Sequence, residues 1–310
     1  MPDTRPNHPH PRHRFRYRGV ASSCAAFVAL TAAGVAVPAA AHAESPSCSP
    51  ATATTLAGPD IPFADWAENL GYDAQGNLWV SRLYRNVVQR LDSAGKVTAT
   101  VPVTSPGAIR LGPDHLLYVV YGDTTLNMLP GTHNSGVVRF DPAAAAPVPE
   151  VFVDGLGMAN GAAFDGAGNL YIADTTSGVV RVRTDGTIDA DWTAQAKTFG
   201  VNGVAVDGDA VYTTVYLSPQ GRILRIPIDA PAGQSTAAEL GLADDLTAGP
   251  GGFLYVATTA GTLVRVDPDT HSTCTVLTDS PMAAVVPVPG TDQDLMVATG
   301  RGDVLRVHLG

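Results

Sequence analysis

The sequence predicts an all-β protein, a six-bladed β-propeller closed by an N-terminal strand. Three observations predict it. A short motif of two apolar residues, an arginine and another apolar residue recurs six times, the first copy varied by Gln89 before its arginine, with the arginines 49, 42, 44, 40 and 41 residues apart. A strand–turn–strand pattern rich in Gly, Asp and Asn precedes each copy. The 310 residues are 45% hydrophobic and 15% charged, with 32 Gly and 24 Pro; that is too apolar for a disordered chain and too rich in breakers for long helices. A period near forty with four short strands per unit is a propeller blade.

In chain order, residues 1–43 read as a secretory signal. Arg5, Arg12, Arg14, Arg16 and Arg18 precede the small-residue apolar run Val20 to Val37, and Ala41-His42-Ala43 is a cleavage site of the A-x-A kind. No two arginines are adjacent, which favours general secretion over twin-arginine export. No later stretch approaches the apolar length of a membrane span, so residues 44–310 are expected as a single exported propeller domain with no membrane contact after signal removal. Cys24 leaves with the signal. Cys48 and Cys274 remain, and outside the cell an even pair is expected as a disulfide, two separate thiols being the alternative. The segment 44–310 holds 14 basic against 28 acidic residues, a net charge of −14. An acidic body without basic runs excludes nucleic-acid binding as the main activity.

The repeat arginines are Arg90, Arg139, Arg181, Arg225, Arg265 and Arg306. Their slot reads as an outward-facing strand position, which makes them solvated scaffold. Upstream, copy one runs from Glu68 through Asp73 to Trp79, copy three from Asn160 through Asp165 to Tyr171, copy four from Asn202 through Asp207 to Tyr212, and copy five from Asp244 to Tyr255. Copies two (from Gly107) and six (from Met282) are degenerate. A looser fourth strand, such as residues 150–153, completes each unit, and there is no Trp-Asp dipeptide of the WD40 type. The Thr-rich segment 51–57 is expected to supply the missing outer strand of blade six, which leaves no open edge and brings Cys48 near Cys274.

The innermost strands of a propeller start at one face and look into the channel. Alignment puts Glu68, Gly107, Asn160, Asn202, Asp244 and roughly Met282 at that position. Two carboxylates and two amides converging at a hub repel or remain unsatisfied unless something positive lies between them. Such oxygen donors suit a hard divalent cation, Ca²⁺ first and Mg²⁺ or Mn²⁺ next. The alternative is that these residues merely cap strand starts.

With this blade count, the Glu68 start, Asn160-Gly161 and Asn202-Gly203 before Asp-containing turns, and the Asp244 position, the chain resembles the SMP-30/gluconolactonase/LRE-like family over nearly all of residues 44–310. The resemblance implies one divalent metal held by Glu68, Asn202 and Asp244, a substrate-facing Asn160, and hydrolysis of a lactone or related ester. Two departures stand out. Asp245 follows Asp244 where the family usually has Gly, which leaves open which carboxylate is the ligand. Met158 stands where some members acting on sugar lactones carry Arg; an apolar Met cannot fork onto hydroxyls, so a more apolar small-molecule substrate is expected.

Asp244 is the catalytic candidate, as ligand and base together, with Glu68 as ligand only. Asn160, Met158, Tyr216 and His133, the last from the long loop 121–136, are candidate substrate contacts. Asp174 falls in a strand-end slot that is often structural. No G-x-S-x-G elbow, H-E-x-x-H or phosphate-cradling loop occurs. A monomer is expected. Two other classes fit the same scaffold: a non-catalytic ligand- or protein-binding propeller, and a lyase or strictosidine-synthase-like enzyme.

Overall fold

The computed structural model describes residues 48–310, and the expected signal segment lies outside the described residues. Six antiparallel sheets follow one another along the chain. Their innermost strands are Ala67–Tyr72, Ile109–Leu111, Ala159–Phe164, Val201–Asp207, Ala243–Ala248 and Met282–Pro287. Each core is shared between neighbouring blades: Tyr118 and Val137 of blade two pack with Ile172 and Val180 of blade three. Among the described residues no helix is long and apolar enough to cross a membrane.

The repeat has a physical basis in its turns. Asp73 accepts from the backbone N–H groups of Gln75 and Asn77, from Asn77 Nδ2, and from Trp79 Nε1. Asp165 does the same with Ala167, Asn169 and the Tyr171 hydroxyl. One carboxylate thereby closes the turn and satisfies the polar end of a buried aromatic ring.

The arginine slot differs from expectation. Strand register sets Arg90 opposite Trp79, Arg139 opposite Tyr118, Arg181 opposite Tyr171, Arg225 opposite Tyr212 and Arg265 opposite Tyr255. These arginines are half-buried, and only Arg306, opposite Met296, stays exposed. The guanidinium of Arg181 lies 5.8 Å from the Tyr171 ring centroid, that of Arg90 5.9 Å from Trp79 and that of Arg139 6.0 Å from Tyr118, so in blades one to three the slot is a cross-strand cation–π position.

Blade three also departs from four strands. It has three, and the helix Ala190–Gln195 takes the outer place. Asp189 caps the helix, and Trp192 buries its ring against Tyr171 at 5.0 Å while Nε1 donates to the Ile228 carbonyl. An indole that needs both a core and an acceptor is met by this helix.

Ring closure follows the sequence. Thr52–Ala57 pairs antiparallel with Val304–His308 and completes blade six. Cys48 and Cys274 form a disulfide across that closure, with Cα atoms 5.8 Å apart.

At the hub, strand pairing slips in five of the six inner strands, between Ala67 and Asn69, Ala159 and Ala162, Val201 and Val204, Ala243 and Leu246, and Met282 and Ala284. Such bulges re-aim a side chain, and the residues within them include Glu68, Asn160, Asn202 and Asp244. The same register puts Ala283, not Met282, at the hub position of blade six; Met282 is fully buried in the core one residue earlier. Close approach of the inner strands requires glycine. A Cβ on Gly161 would lie 2.5 Å from the Asn202 carbonyl oxygen, and one on Gly203 would lie 2.6 Å from the Asp245 Cα. The Asn-Gly pairs thus bring three blades backbone to backbone.

Candidate functional site

A cavity of about 350 Å³ opens at one mouth of the hub. Its floor carries Glu68, Asp123, Asn160, Asn202 and Asp244, and its walls include Trp66, Leu83, Tyr84, Met158 and Tyr216. Glu68 is held from two sides: Trp66 Nε1 donates to Oε2 at 2.5 Å and Asn160 Nδ2 donates to Oε1 at 3.2 Å. The same Asn160 amide donates to Asp123 Oδ2 at 3.0 Å. The Asp244 carbonyl accepts from Thr214 Oγ1, which in turn accepts from Gly203 N. Blades four and five are thereby locked together beneath the floor.

Three carboxylates in one desolvated site disfavour one another's ionisation. Burial, then the charges of Glu68, Asp123 and Asp245, push Asp244 well above the ordinary carboxylate range. Burial and the Glu68 charge do the same to Asp123. Glu68 is raised by burial, against the hydrogen bonds from Asn160 and Trp66. No Lys, Arg or His lines the cavity among the described residues.

The donors fit a hard cation. Asn202 Oδ1 is buried at the floor with no hydrogen-bond partner among the described residues, as an amide oxygen reserved for a ligand would be. Among the described residues no three acidic, imidazole or thiolate groups converge as a closed cage; the set here is Glu68 and Asp244 carboxylates joined by that amide oxygen.

Asp244 opens onto the cavity, whereas Asp245 turns away into the channel. There it accepts from Asn69 Nδ2 at 3.0 Å and pairs with Arg110 Nη2 at 3.5 Å. Arg110 is tied further to Asn69 Oδ1 and to the carbonyls of Leu70 and Ile109. Glu68, Asn160, Asn202, Asp244, Met158 and Tyr216 are brought together, and the Tyr216 hydroxyl shares a hydrogen bond with Thr259 Oγ1. His133 is not. It sits on an exposed stretch of its loop and lines no part of the cavity, because the loop turns inward at Asp123 instead. Asp174 is structural, accepting from Gly157 N, Thr176 N and Thr176 Oγ1.

Sequence reasoning missed Asp123 and Trp66. Asp123 follows the second strand of blade two as Tyr84 follows that of blade one, so blade alignment of those strand ends carried its signal. Trp66 precedes the first inner strand and is seated by Gly300, where a Cβ would lie 2.5 Å from the indole; nothing local to Trp66 announces that contact.

No protein-family model and no curated protein matches the chain. Solved structures do match its fold. A gluconolactonase from Xanthomonas campestris superposes with a TM-score of 0.67 at 18% identity, over 84% of this chain and 90% of that one. A structure described as a gluconolactonase gives 0.66 at 15% identity, covering 85% and 94%. The calcium-binding protein regucalcin from Agrobacterium tumefaciens gives 0.65 at 16% identity, covering 85% and 95%. The chain shares the six-bladed propeller of these proteins. At such identities the likeness is one of fold.

Proposed function

We propose that the chain is a secreted, divalent-metal-dependent hydrolase of a lactone or related ester. The observation that carries this reading is Asn202 Oδ1, which has no partner among the described residues and is set among buried carboxylates on a floor that no cationic side chain of those residues lines. Glu68, Asn202 and Asp244 would hold the metal, with Ca²⁺ the first expectation and Mg²⁺ or Mn²⁺ next. When bound, a divalent cation supplies Lewis acidity at the floor.

The chain's own groups supply the rest. Trp66 and Asn160 fix the Glu68 carboxylate in one orientation. Asp244 accepts the proton of a water that adds to the acyl carbon, and it returns that proton to the alkoxide as the C–O bond opens. Asn160 donates its amide N–H groups to Glu68 and Asp123 and so faces the substrate through Oδ1, an acceptor for a substrate hydroxyl, and the Trp66, Leu83, Tyr84, Met158 and Tyr216 walls exclude bulk water.

The likeness of fold to gluconolactonases supports a small-molecule substrate, and the Met158 wall supports a more apolar one than a sugar lactone. The test is metal analysis of the purified protein with a lactone and aryl-ester panel, run with and without chelator. Chelator-sensitive turnover that Asp244→Asn abolishes is the expected result. Turnover that survives both would remove the reading.

A further inference from the structure

The loops around the cavity mouth carry most of the large hydrophobic side chains exposed among the described residues. Of thirteen such side chains, eight lie on the loops of this one face, Phe199 before the Asn202 strand among them. Tyr84 belongs to the cavity wall itself. Ile61 and Phe63 precede blade one, Leu126 and Leu129 follow the Asp123 turn, Leu217 adjoins Tyr216, and Leu242 immediately precedes the Asp244 strand. Singly exposed hydrophobic residues are ordinary, whereas a collar of them around a concave site marks a binding surface.

Backbone conformation supplies a second, independent sign. Phe63 and Leu242 adopt left-handed φ of 67° and 56°, where Gly or Asn is cheapest and a bulky apolar residue is an outlier. They are also 58% and 48% exposed, so core packing does not explain the apolar choice. Strain combined with exposure points to a ligand as what these side chains serve.

Charge narrows the ligand. Three carboxyl groups, Glu68, Asp123 and Asp244, line the cavity, and no cationic side chain does so among the described residues. A sugar acid, phosphate or other anionic group entering this mouth meets repulsion and no fork of donors.

We infer that the substrate is an uncharged lactone or ester bearing a large alkyl or aryl group, its acyl carbon at the carboxylate floor and its apolar group laid along the Trp66–Tyr84 wall onto the collar. Trp66 and Tyr84 stand edge to face at 6.2 Å, a rigid apolar surface continuous with both floor and rim. This inference rests on the hydrolase reading above.

The test measures the full mature protein, supplied with Ca²⁺, against neutral lactones of increasing alkyl length, a sugar lactone and a carboxylate-bearing lactone. Binding of a non-hydrolysable alkyl lactam series is measured beside it by calorimetry. Each added methylene is expected to tighten binding about two- to fourfold until the chain outgrows the collar, with the anionic lactone the poorest ligand. Leu126→Ser and Leu242→Asn are expected to flatten that chain-length dependence, and Leu242→Asn relieves backbone strain, so its effect does not arise from misfolding.

Turnover without chain-length dependence, or preference for the sugar or anionic lactone, overturns the inference and leaves the hydrolase reading standing. No turnover of any ester removes the hydrolase reading, and the lactams then decide the collar: length-dependent binding supports it and its absence overturns it. Collar variants that change sedimentation rather than chain-length dependence identify an interface between proteins and also overturn it.

Discussion

Asp244 and Asp245 are neighbours in sequence with opposite assignments: the first faces the open cavity, and the second is clamped in the channel by Arg110 and Asn69. A backbone bulge between Ala243 and Leu246 separates them. The Asp245 side chain is almost fully buried, and one of its oxygens lacks any partner among the described residues. Its tolerance of burial depends on the guanidinium beside it. Arg110→Ala leaves that charge uncompensated and is expected to cost about 3 kcal/mol, read as a lower urea midpoint. Adding Asp245→Asn should restore most of the loss. An Arg110→Ala protein of unchanged stability would show the pair to be dispensable.

Metal binding should be measurable without turnover. Saturation with Ca²⁺ at about a hundred times the dissociation constant is expected to raise stability by about 2.7 kcal/mol, seen as a higher Tm that chelator reverses. Asn202→Ala, which deletes the unpartnered oxygen, should remove most of that increment while leaving the metal-free Tm nearly unchanged. Equal Ca²⁺ stabilisation in the variant would exclude Asn202 as a ligand.

Acid lability is expected from the blade turns. Hydrogen bonds from the side chain and backbone of Asn169 and from Tyr171 and Ala167 outweigh burial and hold the Asp165 carboxyl below its ordinary value of 3.8. The folded state therefore binds its proton less readily than the unfolded chain. The contribution is complete above about pH 4 and is lost as pH falls through the lower folded value. A series of urea midpoints from pH 6 to pH 2 should decline more gently in Asp165→Asn, which starts less stable because the Tyr171 hydroxyl and turn amides lose a charged acceptor. Parallel declines would assign the acid sensitivity elsewhere.

Opening the Cys48–Cys274 bridge releases a constraint over a separation of 226 residues. Cys48→Ser with Cys274→Ser is expected to cost about 2–5 kcal/mol. Hydrogen exchange should accelerate first in Thr52–Ala57, whose ladder to the last strand the bridge secures. Uniform acceleration across all blades would mean that closure and core fail as one unit.

The blades were legible because they repeat. Trp79, Tyr171, Tyr212 and Tyr255 recur with their facing arginines at one strand register, and an error in one copy is corrected by the others. The hub donors Glu68, Asn160, Asn202 and Asp244 were legible for the same reason. What escaped was unique to one blade. Trp192 draws blade three into a helix through a contact with Ile228 that is distant in sequence. Met282 was one residue out because a bulge shifts the register there and blade six offers no polar residue to mark the position. Asp123 lies at the start of the long loop of blade two, two residues past its strand as Tyr84 is in blade one, but His133 carried the more conspicuous chemistry in that loop.

The clasp of blade six has a consequence for biosynthesis. Its outer strand is made early and its inner three strands last, so the first-made segment waits through nearly the whole of translation with its hydrogen-bonding edge bare. Throughout that wait it is a template for any neighbouring chain. A stalled or truncated product would thus be left adhesive, which makes prompt completion a condition of its solubility.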